Sequence, residues 1–167
     1  FISQKMANHL IKTCKSISLS AQLNAANLGM HTINKYKRVE TIVINEMELR
    51  QEMKDRNSKI KVLMKKLTQR IKFQNLIVTR GINGSILYDK KNNQFIQCPA
   101  FASSVVDKVG AGDSMLSILS VALSAGIDKH LSLLLGSLAA AQSVELMGPG
   151  TSVNKNMILK ILESLVK

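Results

Sequence analysis

Asp107-Lys108-Val109-Gly110-Ala111-Gly112-Asp113 stands immediately before a long apolar-periodic stretch that begins at Ser114. Two glycines separated by the smallest side chain let backbone N–H groups converge on an anion with no Cβ in the way. A helix starting there adds the positive end of its dipole. The segment therefore predicts a phosphate-binding nest at a helix N-terminus. Asp113 falls in the first helical turn, and locally it has two readings. It stabilises the helix start, or it accepts the proton of an attacking hydroxyl while the nest neutralises charge on a transferring phosphoryl group.

The flanking sequence supplies a fold for such a nest. Ile2, Met6, Leu10 and Ile11 fall near helical spacing up to Thr13, and Ser16 to Leu23 then alternates as a strand does. Asn24, Asn27 and Gly29 mark a loop or helix start. Glu40 to Ile44, with Thr41-Ile42-Val43-Ile44, is a β-branched run of the buried parallel kind, with Asn45 at its carboxyl end. Asn75 to Thr79 repeats that pattern and leads into Gly81 and Gly84; Ser85 to Tyr88 and Gln94 to Gln97 flank Lys90-Lys91-Asn92-Asn93 as a hairpin. The last third reads as three helices, Ala111 to Ala125, His130 to Met147 and Asn154 to Val166, with Gly126 and Gly148 as stop signals. Strands ending in Asn, Thr and Gly-rich turns describe an open α/β sheet that binds ligands at those ends.

At 167 residues the chain has the size of one α/β domain, and 46% hydrophobic with 20% charged residues is a globular composition. The net charge of +12 raises the question of nucleic acid. The basic residues, however, concentrate between Arg50 and Lys72 among Met, Val, Leu and Ile, as on the solvated face of an amphipathic helix. Aromatics that could stack bases are only 4% of the chain, so nucleic acid ranks last among the partners. Cys14 and Cys98 fit no metal or disulfide spacing, which points to a reducing, cytoplasmic setting, and His9, His31 and His130 are scattered. Ser114 to Ile127 and Leu131 to Val144 are too short to span a bilayer, which needs about 20 apolar residues. The chain opens on Phe1 with no signal-peptide pattern, and reads as beginning in mid-protein or after processing.

Asp107 to Asp113 resembles the C-terminal signature of the ribokinase-like (PfkB) family of carbohydrate kinases, an Asp, two variable residues and Gly-Ala-Gly-Asp at a helix start. Lys108 and Val109 replace the commoner Thr pair. The resemblance implies a ribokinase-like, Rossmann-like three-layer open sheet with a helical C-terminal third. It implies Asp113 as catalytic base toward a sugar hydroxyl, and Gly110, Ala111 and Gly112 as anion hole. Asn45-Glu46-Met47-Glu48 is similar to the family's Asn-x-x-Glu motif, which organises magnesium and phosphate, so Asn45 and Glu48 are implied as indirect Mg2+ residues. Read by itself the same tetrad is a helix cap with a first-turn acid. Val78 to Gly84 is similar to the strand end that passes under the nucleotide, and Ser137 to Ser152 to the helix and loop over the adenine. ATP contacts are thereby implied for Asn45, Thr79, Arg80, Gly81, Gly84, Gly112 and Ser137. In members that bind K+, the corresponding positions are Asp107, Val109, Ser143, Gly148 and Ser152, although Asp107 would equally serve to tie a loop to backbone amides. Gln22-Leu23-Asn24, with Asn27, Gly29, Lys35 and Tyr36, is similar to the heptose-phosphate-kinase-like branch.

The family's sugar-binding signature and lid lie in its N-terminal half and have no counterpart here. The expected organisation is a single α/β domain over residues 1–167, the nucleotide-binding and catalytic portion of a larger kinase for a sugar or sugar phosphate. Its partners would be that substrate and the N-terminal half. Apolar surface where that half packs would favour association with a second copy. The competing readings are a non-catalytic nucleotide-binding or regulatory module and, last, a basic nucleic-acid-binding domain.

Overall fold

The computed structural model describes residues 2–20, 32–102, 104, 110–145 and 153–166. Their elements run α1 (Gln4–Thr13), β1 (Ser18–Ser20), β2 (Thr41–Asn45), α2 (Glu46–Met53), α3 (Ile60–Leu67), β3 (Asn75–Thr79), β4 (Ser85–Asp89), β5 (Gln94–Cys98), α4 (Ala111–Ser124), α5 (Lys129–Glu145) and α6 (Lys155–Val166). Short 3-10 turns occupy Ile33–Lys35 and Gly81–Asn83. The five strands form one open sheet in the order β1-β2-β3-β4-β5.

β1, β2 and β3 are parallel, with Ser18 opposite Thr41 and Asn45 opposite Thr79. Ile42, Val43 and Ile44 in β2, and Leu76, Ile77 and Val78 in β3, are all buried. That explains why both strands read as unbroken apolar runs: a parallel strand covered on both faces has no polar side to alternate with. β4 and β5 are neighbours joined by only four residues, a connection too short for anything but an antiparallel pair. The buried Asp89 carboxylate shapes that turn by accepting from the Lys91 amide at 3.0 Å and from Asn92 Nδ2 at 2.7 Å.

The basic stretch differs from the single amphipathic helix expected of it. It forms two helices, α2 and α3, and Arg70 and Lys72 lie beyond the second. Lys54 ends α2 in the left-handed conformation at φ 53°. The Asp55 carboxylate then accepts from the amides of Asn57 and Ser58 and from the Ser58 hydroxyl, offering the backbone a local alternative to helix. α3 itself keeps the expected amphipathicity, with Leu63, Met64 and Leu67 buried. The ammonium groups of Lys61 and Lys65 stand 5.3 and 5.7 Å from the centre of the Phe95 ring.

Two compact units make up the chain: Phe1–Arg80 with Ile86–Gln97, and Gly81–Ser85 with Cys98–Lys167. The core of the first gathers Ile42, Ile44, Leu76 and Val78 from the sheet with Leu49, Leu63 and Leu67 from the helices. In the second, α4 and α5 pack together, and Leu138, Ala139 and Ile158 form a cluster with Ile118, Leu134 and Ile161 against it. Among the described residues no helix is long and apolar enough to cross a membrane.

Candidate functional site

In the first unit, the carboxyl ends of β2 and β3 bring two of the expected residues side by side, because Asn45 is the register partner of Thr79. Asn45 is also the N-cap of α2. Its Oδ1 accepts from the Glu48 amide at 2.8 Å, and Glu48 Oε2 accepts from the Asn45 amide at 2.9 Å. The Asn-x-x-Glu tetrad is thus a reciprocal capping box that locks the strand-to-helix corner.

Arg80 follows Thr79 directly and meets a residue that the sequence reading passed over. Its Nε donates to Glu46 Oε2 at 2.8 Å, while Glu46 Oε1 accepts from Nε and Nη2 of Arg50 at 3.1 and 2.7 Å. Arg80 foremost, and Arg50 after it, hold the Glu46 carboxyl below the usual glutamate range against the opposing effect of burial. The i,i+4 spacing of Glu46 and Arg50 was a visible signal for half of this network. The other half joins residues 34 apart and depends on the strand register.

The second unit carries the glycine-rich elements. Gly84 has φ +72°, and a Cβ there would sit 2.1 Å from the Cys98 carbonyl oxygen, so the turn out of Gly81–Asn83 requires glycine. Ser137, on α5, is buried, and its hydroxyl lies 3.0 Å from that of Ser85. The Cys98 thiol shares the Ser137 hydroxyl, and burial pushes its pKa up. Ser137 thereby ties α5 to Ser85 and Cys98 within the second unit.

α4 opens on Gly110, which takes φ 84° and ψ −10° and makes no side-chain cap. The first helical bond runs from the Ser114 amide to the Gly110 carbonyl at 2.8 Å. Among the described residues beyond its own helix backbone, nothing lies within 4 Å of where a Gly112 Cβ would be, and Asp113 is exposed on the first turn. Ser143 on α5 is near this corner, its Oγ 3.7 Å from the position of a Gly110 Cβ. Asp107, Val109, Gly148 and Ser152 lie outside the described residues, as do Gln22, Leu23, Asn24, Asn27 and Gly29.

The donor set bears on metal. Asn45 Oδ1 and Glu48 Oε2 are engaged in the capping box, and no group of three His, Cys, Asp or Glu side chains that could hold a metal is present among the described residues. A magnesium ion at such a corner would have to keep most of its water, since both of those oxygens are already hydrogen-bonded. A second pair missed from sequence is Gln142 with Asn154. Gln142 Oε1 accepts from the Asn154 amide at 2.9 Å and its Nε2 donates to the Asn154 carbonyl at 3.3 Å, a clamp between α5 and the start of α6.

Residues 2–156 match the family model described as pfkB family carbohydrate kinase. Among curated proteins, the bifunctional protein HldE of Campylobacter concisus is 26% identical over 155 residues, spanning 90% of this chain and 31% of that protein. HldE of Coxiella burnetii is 33% identical over 85 residues, 51% of this chain and 18% of that protein. Among solved structures, Arabidopsis thaliana ribokinase complexed with ribose and ATP aligns at TM-score 0.79 and 23% identity, over 96% of this chain and 51% of that one. Phosphofructokinase-2 of Escherichia coli, in complex with substrates and products, aligns at TM-score 0.79 and 17% identity, over 98% and 52%. The chain therefore has the ribokinase-like α/β fold, and it spans about a third of the first curated relative and half of these solved chains.

Proposed function

Because the chain belongs to the pfkB family of carbohydrate kinases, we propose that it forms the nucleotide-binding and catalytic portion of an enzyme that moves the γ-phosphoryl group of ATP to a hydroxyl of a sugar or sugar phosphate. The observation that carries this reading is the start of α4. A left-handed glycine at the helix start, an approach at Gly112 that no described residue fills and an exposed acid one residue on suit an anion hole beside a base.

In this mechanism Asp113 accepts the proton of the acceptor hydroxyl as that oxygen bonds to the γ-phosphorus. The bond from the γ-phosphorus to the bridging oxygen breaks, and ADP leaves with the electron pair. The N–H groups of Gly110, Ala111 and Gly112 stabilise the charge on the phosphoryl oxygens in flight. Asn45, Thr79, Arg80, Gly81, Gly84 and Ser137 belong to the nucleotide side. For Ser137 that role runs through its hold on α5, since its hydroxyl is bonded to Ser85. Asn45 and Glu48 would orient the water shell of a magnesium ion, which neutralises phosphate charge when bound. Where potassium is used, Ser143 is the described candidate, with Asp107, Val109, Gly148 and Ser152 completing the set. The recurrence of HldE among the relatives supports the heptose-phosphate-kinase-like branch, and with it a phosphorylated acceptor.

The test is phosphoryl transfer from γ-labelled ATP to a panel of sugars and sugar phosphates by the full-length protein that contains this chain. Label on one class of acceptor supports the proposal. ATP binding with no transfer to any acceptor would contradict it and favour the non-catalytic nucleotide module.

A further inference from the structure

The Arg80–Glu46 contact has a geometry that a plain structural salt bridge does not need. A carboxylate that only ties two elements together is best served by the two-pronged pairing an arginine offers. Here Glu46 takes only Nε of Arg80, at 2.8 Å. Among the described residues, Nη1 and Nη2 of Arg80 make no hydrogen bond. Glu46 is itself fixed from the other side by Arg50, whose Nη1 donates to the carbonyls of Arg56 and Ser58 at 3.0 Å each. The side chains of Glu46 and Arg80 are 25% and 27% exposed, so the guanidinium is held rather than sweeping through solvent. Two guanidiniums around one carboxylate leave the network net positive. It stands beside Thr79 and its register partner Asn45, at the carboxyl edge of the parallel strands, where open α/β sheets receive ligands.

We propose that Glu46 is a positioning residue that holds Arg80 by Nε so that its two terminal nitrogens grip a phosphate of the bound nucleotide. The inference rests on the reading of ATP as phosphoryl donor, and it assigns the arginine side chain, beyond the backbone turn, to the phosphate chain. Glu46 would touch no ligand and would act only through Arg80.

The experiment is calorimetric titration of ATP and of adenosine into the wild type, Arg80→Gln, Arg80→Lys, Glu46→Gln and the Glu46→Gln/Arg80→Gln double variant. Hydrogen bonds to charged groups predict that Arg80→Gln weakens ATP by about 10- to 100-fold, with adenosine unchanged. Arg80→Lys should recover only part of that loss, because an ammonium is not held in a fixed fork. Glu46→Gln should weaken ATP to a lesser degree, and in the Arg80→Gln background it should cost nothing more. Should Glu46→Gln also lower the melting temperature, the ratio of ATP to adenosine affinity still reads the function, since both ligands bind the folded protein. Equal losses for ATP and adenosine, or a Glu46→Gln cost that persists without Arg80, would overturn the inference alone. A wild type that binds no ATP would overturn the donor reading, and this inference with it.

Discussion

Gly112→Ala separates the needs of the fold from those of the chemistry. Gly112 is the second residue of α4, and a Cβ placed on it meets nothing within 4 Å among the described residues beyond its own helix backbone. For the fold, alanine is the better residue: removing a glycine from a helix stabilises by about 0.5–1 kcal/mol, partly by narrowing the unfolded ensemble. In a chain of this size that is a rise in Tm of about 1–4 °C. For an anion hole, the same methyl group stands where phosphoryl oxygens must approach the amide, and losing one such donor costs about 10²–10³ in kcat. The expected outcome is a protein at least as stable as the wild type by thermal melting, with turnover lower by about two orders of magnitude. Ala111→Gly is the converse control, less stable by about 0.5–1 kcal/mol with turnover nearly kept. If Gly112→Ala keeps turnover within twofold, the phosphoryl group does not sit on that amide. If it lowers Tm, the added methyl group collides with a neighbour.

At Gly84 the opposite holds. Gly84→Ala combines a left-handed φ of +72° with a Cβ 2.1 Å from the Cys98 carbonyl oxygen. Backbone strain and forced displacement should together cost about 2–5 kcal/mol in urea unfolding, and a cost below about 1 kcal/mol would mean the turn opens readily. Two glutamates of α2 should give stability–pH slopes of opposite sign. Glu46, held below its ordinary 4.5 by Arg80 and then Arg50, adds stability above that pH that is lost as pH falls through its lowered value. Glu52, raised above 4.5 chiefly by burial, costs stability as pH rises from 4.5 through its raised value. Urea midpoints from pH 3 to 7 for Glu46→Gln and Glu52→Gln against the wild type check this; equal pH slopes in all three proteins would refute it.

Elements that follow from burial alone were legible in the amino-acid order. Ile42-Val43-Ile44 and Leu76-Ile77-Val78 could only be strands covered on both faces, and α4 to α6 announce themselves by apolar period, with Gly126 at φ +76° where a stop was expected. The break between α2 and α3 was not legible, because it is made by Lys54 in a left-handed conformation and by the Asp55 carboxylate, with neither glycine nor proline to mark it. Of the site, Asn45 and Thr79 were foreseen as strand ends, and the register explains why they meet. Glu46 was missed because its partner Arg80 is distant in sequence; Ser137 was named, but not its bond to Ser85, because a serine in a helix carries no sign of whether its hydroxyl turns inward. Nor does composition change at Arg80–Gly81 or Gln97–Cys98, where the chain passes from one compact unit to the other.

The central claim is that Asp113 is the base of a phosphoryl transfer whose nucleotide is held by other residues. Its most direct test is kcat together with the ATP dissociation constant for Asp113→Asn in the full-length protein. The replacement keeps size and removes only the proton acceptor, so kcat should fall by about 10²–10⁴ while ATP affinity changes by less than about threefold. Turnover equal to the wild type would contradict the account.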